Sequence, residues 1–178
     1  MIDLCKKCFE KKLVGSFYWN DADPQQHLTG YVSALNEEEI VIAHISPNGF
    51  YDGFILLHLE DLFRVDIQGQ YENRIARLYA LRKQHHPELK PDRHSLYFSL
   101  LNYARLNGLM ISAEAVDNAV SGFLRDFDWE RIRLQVIDEN GRPDGETVIR
   151  TETVCLICVD TDTEQNRKLL YAEMQEDI

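Results

Sequence analysis

From residue 131 to residue 136 apolar and polar side chains alternate without a break, with Ile132, Leu134 and Val136 set among Arg131, Arg133 and Gln135. Successive side chains of a strand point to opposite faces, so this pattern predicts a half-buried strand. Comparable short β-rich runs occupy 17–19, 31–35, 40–45, 54–59 and 62–67 in the first half. In the second half they occupy 109–111, 123–127, 132–137, 146–151 and 154–159. Helical spacing appears elsewhere: Leu96, Leu100, Tyr103 and Asn107 stand at i, i+4, i+7 and i+11, an apolar stripe with one polar end. Helices are expected over 4–13 and 96–106, each ahead of a set of strands, and over 72–83 and 164–173, each after one.

The two halves repeat one another. Shifted by 92 positions, residues 27–80 align with 119–172 without a gap and give 13 identities in 54 pairs. Roughly three would be expected for ordinary composition. Gly30 matches Gly122, Ile40 matches Ile132 and Ile45 matches Ile137. Asn48-Gly49-x-x-Asp52-Gly53 matches Asn140-Gly141-x-x-Asp144-Gly145, and Leu78-Tyr79-Ala80 matches Leu170-Tyr171-Ala172. Asn-Gly between two apolar runs is a strong hairpin signal, because both residues tolerate positive φ. A one-residue adjustment brings Gly15 opposite Gly108. The expected fold is α+β: two tandem copies of a helix and a five-stranded antiparallel barrel, each followed by a helix. The first unit covers 1–83 and the second 94–178. Between them 84–93, with two prolines and high polarity, reads as a linker.

This layout resembles the Sm-like (LSM) family, one of the small SH3-like barrels. The family's first motif, Gly-x-Leu-x-x-Phe-Asp-x-x-Met-Asn, is similar to Gly122-x-Leu124-x-x-Phe127-Asp128, and Gly30-x-Val32-x-x-Leu35-Asn36 is a softened form. Its second motif, apolar-Arg-Gly-x-x-apolar, is similar to Ile149-Arg150-Thr151-x-x-Val154. The resemblance implies RNA binding through Asp128 and Arg150. The family's base-binding Asn is replaced by Ile40 and Ile132, and its Gly by Leu59 and Thr151, so the resemblance bears on fold more than activity. It also implies assembly by pairing strand four of one barrel with strand five of the next, joining the two copies or separate chains.

Charge narrows the partners. Residues 1–90 carry 10 basic and 13 acidic side chains, and 91–178 carry 9 and 17, for a net charge of −11. Both halves being acidic argues against DNA and other broad phosphate-backbone binding, which needs clustered Lys and Arg. No stretch approaches the ~20 apolar residues of a membrane span. Residues 1–12 lack a signal-peptide core, so a cytoplasmic protein is expected.

Cys5-x-x-Cys8 and Cys155-x-x-Cys158 form a CxxC pair of pairs, a pattern that suits zinc or a redox couple. The repeat argues otherwise. With Gly15 opposite Gly108, Cys5 and Cys8 face Phe98 and Leu101, and Cys155 faces Phe63, all large apolar positions. Cys155 and Cys158 also fall in an expected strand, where i and i+3 point apart. Buried structural cysteines, and no cofactor, are expected. Asp138, Asn140, Asp144 and Glu146 offer oxygens at alternating positions, but copy one keeps only Asn48 and Asp52, so a hairpin turn explains them. The His85-His86 pair beside Pro87 reads as solvated. Phe50 and Tyr51, in the turn between strands three and four, are candidates for a contact patch or a base-stacking platform. No nucleophile elbow, phosphate loop or HExxH is present. The expectation is a non-catalytic module that binds protein partners or itself through strand edges. RNA binding is the alternative, and a zinc or redox protein the third reading.

Overall fold

Helix, five strands, helix recurs twice, as the apolar spacing predicts. The first set is α1 (Ile2–Lys11), β1 (Val14–Tyr18), β2 (Leu28–Leu35), β3 (Glu39–Ile45), β4 (Tyr51–His58), β5 (Arg64–Ile67) and α2 (Gln70–Leu81). The second is α3 (Leu96–Leu106), β6 (Met110–Ala115), β7 (Asn118–Phe127), β8 (Arg131–Ile137), β9 (Pro143–Arg150), β10 (Val154–Val159) and α4 (Asp162–Glu176). The computed structural model describes residues 1–92, 95–115 and 118–176. Its compact units are Met1–Ser99 and Leu100–Ile178.

Each unit carries an antiparallel sheet, ordered β5-β1-β2-β3-β4 in the first and β10-β6-β7-β8-β9 in the second. The expected closed barrel is corrected to an open sheet. A single 3-10 turn, Leu59–Asp61 or Thr151–Thr153, ends the fourth strand. It carries the chain across to the first strand, where β5 pairs with β1 and β10 with β6. Fourth and fifth strands thereby stand at opposite ends of the strand order within their unit.

The correspondence between copies also needs one correction. From β2 to α2 the shift is 92, but for the opening helix and first strand it is 96. Gly15 pairs with Gly30, whereas the partner of Gly122 is Ile111. The Leu13 N–H bonds the Cys8 carbonyl at 3.0 Å, and the Leu109 N–H bonds that of Ala104 at 2.9 Å. Gly108 therefore corresponds to Lys12, both just past a helix end in the left-handed region with φ of 59° and 50°. Cys5 and Cys8 correspond to Leu101 and Ala104, both fully buried. Sequence alignment missed this because the difference lies in the connection between first and second strands, longer in the first unit.

Strand β1 is buried along its whole length. Val14 joins Ile45, Ile75 and Tyr79 in a core against α2, and Ser16 also faces α2, while Gly15 lies beneath Cys8 and the Phe17 ring. The buried Ser16 hydroxyl donates to Glu72 Oε1 at 2.6 Å. In the second unit Ser112, paired with Ser121, donates to Glu164, and Glu164 Oε2 also accepts the Thr161 N–H (2.8 Å) and hydroxyl (2.5 Å). Both glutamates are 5% exposed or less. A buried carboxylate without such partners would be costly, so the shared arrangement fixes each closing helix on its first strand.

Two retained motifs meet in space. The turn glycines Gly49 and Gly141 have φ of 79° and 77°, and a Cβ on either would overlap Leu78 or Leu170. That explains why Asn-Gly and Leu-Tyr-Ala persist together. A Cβ on Gly30 or Gly122 would likewise overlap the carbonyl of Ala43 or Gln135 on the neighbouring strand.

Candidate functional site

Asp128 sits in the turn between β7 and β8. Its Oδ1 accepts the N–H groups of Glu130 (2.8 Å) and Arg131 (2.9 Å), and Oδ2 accepts Arg131 Nε at 3.2 Å. Those backbone donors, with the Arg131 guanidinium, hold its carboxyl below the usual range. Asn36 does the same work in copy one, accepting the N–H groups of Glu38 and Glu39. The position is thus a turn-forming one in both copies. Arg150 ends β9 opposite Arg131 and pairs with Glu152 at 2.8 Å, both side chains well exposed. Asp128 and Arg150 therefore share one end of the β8–β9 hairpin, linked by Arg131. Beside them Trp129 is 68% exposed. Arg133 pairs with Glu146, so the guanidinium groups of this face are matched by carboxylates. Ile40 and Ile132 are fully buried.

Phe50 lies in the turn just before the first unit's fourth strand, which Tyr51 opens, and the Arg82 guanidinium lies 4.2 Å over the Phe50 ring. The Tyr51 N–H bonds Gln84 Oε1 at 3.1 Å, and its ring lies 4.5 Å from His86. Both aromatics thus receive the end of α2 and the segment after it.

That segment corrects the expectation of a solvated histidine pair. His85 is exposed, but His86 is folded back onto the first unit. Its Nε2–H donates to the Gly53 carbonyl at 2.9 Å, and its Nδ1 accepts from the Tyr79 hydroxyl at 2.7 Å. A carbonyl only accepts, which assigns the tautomer. Burial pushes the His86 pKa down to about 4 and that of Tyr79 up to about 12. Nearby, His44 Nδ1 is buried 3.0 Å from Asp52 Oδ2, off the hydrogen-bond axis.

Cys5 and Cys8 are wholly buried in α1, and desolvation raises both thiols, Cys8 to about 11. A thiol so protonated is a poor nucleophile and a poor metal ligand. Cys155 and Cys158 are half-buried on β10, with Cys155 donating to the Glu114 carbonyl. Among the described residues no three His, Cys, Asp or Glu side chains converge as a metal site. Asp138 also turns inward, its Oδ1 accepting the N–H groups of Asn140 and Arg142. Ser46 Oγ takes the matching N–H of Phe50 in copy one.

Sequence reasoning missed β9 as a surface. It is the outermost strand of its sheet, exposed along Pro143–Glu146, with Val148 57% exposed. The signal was present in the replacement of Phe54-Ile55-Leu56 by Glu146-Thr147-Val148. No helix among the described residues is long and apolar enough to cross a membrane. Comparison with protein-family models, curated proteins and solved structures gives no match.

Proposed function

We propose that the chain is a non-catalytic interaction module, built on two divergent Sm-like units, that associates with copies of itself through strand edges. The observation that carries this reading is β9. Its outer edge meets no further strand among the described residues, and its outer face leaves Val148 in solvent. An edge strand presents unpaired N–H and C=O groups, a template for another strand. Pro143, Asp144 and Glu146 guard the first half of β9, as charges and proline do on protected edges. Thr147, Val148 and Ile149 form an unguarded run. The complementary edge is β5, whose four residues flank the exposed Phe63. Light scattering over a range of concentrations tests this. The parent chain should associate, and Val148→Lys should remain monomeric at unchanged stability. A parent chain monomeric throughout defeats the reading.

Single-stranded RNA binding is a second reading, favoured by the exposed Trp129 beside Asp128, Arg131 and Arg150. An indole offers a stacking platform for a base. Titration of a labelled U-rich strand at low salt tests it, since phosphate contacts are strongest there. Absence of binding defeats it.

A further inference from the structure

The first unit holds a groove of about 790 Å³ between the start of α1, the β2–β3 turn and the 3-10 turn after β4. Its floor is apolar: Cys5, Leu59 and Leu62 line it at 7% exposure or less. Around the rim stand Asp3, Glu37, Glu38 and Glu60. Some exposed charges elsewhere are matched, as in Arg64–Asp66, Arg131–Asp128, Arg133–Glu146 and Arg150–Glu152. These four carboxylates accept no ion pair from any described residue.

We propose that this groove binds a short cationic segment of a partner protein, with Lys or Arg side chains on the four-carboxylate rim and an apolar side chain on the Cys5–Leu59–Leu62 floor. The charge balance decides the sign of the occupant. The N-terminus of α1 contributes about half a positive charge. Four carboxylates outweigh it, so an anion is disfavoured. The apolar floor decides that the occupant is more than a lone cation. A cation alone would stay hydrated at the exposed rim, whereas a peptide with an apolar residue also removes floor surface from water.

The groove is not an unavoidable product of the fold. Glu130 and Glu152 occupy the corresponding places in copy two, but Trp129 replaces Glu37 and Ser99 replaces Asp3. Arg150 takes the place of His58 and neutralises Glu152. The acidic character therefore belongs to the first copy. The groove shares no residue with β9, and the two proposals fail independently.

The test is fluorescence anisotropy on the full chain with a short labelled peptide alternating arginine and leucine. The same peptide with glutamate in place of arginine is the control. The arginine peptide should bind, more weakly as salt rises, and the glutamate peptide should not. Glu37→Lys/Glu60→Lys, two changes at exposed positions, should lower affinity about tenfold or more. Glu173→Lys/Glu176→Lys alters net charge equally but lies on α4, and should leave affinity within about twofold. Ile2→Ser, at the apolar wall, should weaken binding with little change in salt dependence. Equal losses from the two charge reversals would show attraction to bulk charge and overturn the proposal. So would equal binding of the glutamate peptide, or no binding at low salt. Light scattering of Glu37→Lys/Glu60→Lys should match the parent, which separates this outcome from failure of the edge proposal.

Discussion

Strands β4 and β9 hold the same place in their units and open on the same Asp-Gly step, yet their surroundings are opposite. From Gly53 to Leu57 every residue of β4 is buried, whereas no residue of β9 is. Phe54-Ile55-Leu56-Leu57 against Glu146-Thr147-Val148-Ile149 accounts for the difference at the level of sequence. Other features are alike in both units: the glycine of the second strand, the Asn-Gly turn against Leu-Tyr, and the buried Ser–Glu pair. The lesson is a division of labour. Features that hold a unit together stayed the same after duplication, and features that meet the outside diverged.

The harshest way to break this comparison is to attack the shared scaffold. Gly30→Val and Gly122→Val each drive a side chain into a neighbouring carbonyl, and each should cost about 3–5 kcal/mol in denaturant unfolding. Damage confined to one of them would mean the copies no longer share a scaffold. Next come the buried carboxylates. Glu164→Ala leaves the Ser112 hydroxyl and both Thr161 donors without that acceptor, so it should cost about 3 kcal/mol. Glu72→Ala strands only Ser16 and should cost about 2 kcal/mol. The reverse order in thermal or chemical denaturation would refute this account of the helix anchors.

A gentler test uses acid. The folded His86 titrates near 4, below the ~6.5 of an unfolded histidine, so between these values the unfolded chain binds more protons. Its contribution is complete above about pH 6.5 and is lost as pH falls through about 4, by up to roughly 3 kcal/mol. Residues 100–178 contain no histidine. Proton NMR should therefore show loosening around His86, Tyr79 and Tyr51 in that window, and His86→Asn should remove the pH dependence. An imidazole titrating near its ordinary value would contradict the burial argument.

Much of this was legible in the sequence. The expected helix at 96–106 and strand at 154–159 match α3 and β10, because strong spacing and flanking polar residues marked both ends. The repeat supplied the remaining elements and the reading of Cys5 and Cys8 as core residues, whereas Cys155 and Cys158, expected to be buried as well, are half-buried. Three things were hidden. Openness of each sheet depends on where a one-turn 3-10 segment sends the chain, which no hydrophobic pattern encodes. The shift of 96 was masked by a chance match of two glycines with different jobs, one in a strand and one at a helix end. His86 looked solvated because a polar, proline-rich stretch resembles a linker, while its burial rests on Tyr79 of the preceding helix and on Gly53, 33 residues back. Of the candidate sites, Asp128 and Arg150 do fall at one end of a hairpin. The acidic groove joins residues from three separated segments that no motif connects.

The central claim, that β9 is the edge through which chains meet, is tested most directly by hydrogen exchange of the Thr147, Val148 and Ile149 amides at increasing protein concentration. Exchange at one or more of them should slow as concentration rises, with β4 amides unchanged, and Val148→Lys should abolish the slowing. Exchange at all three that is independent of concentration would contradict the account.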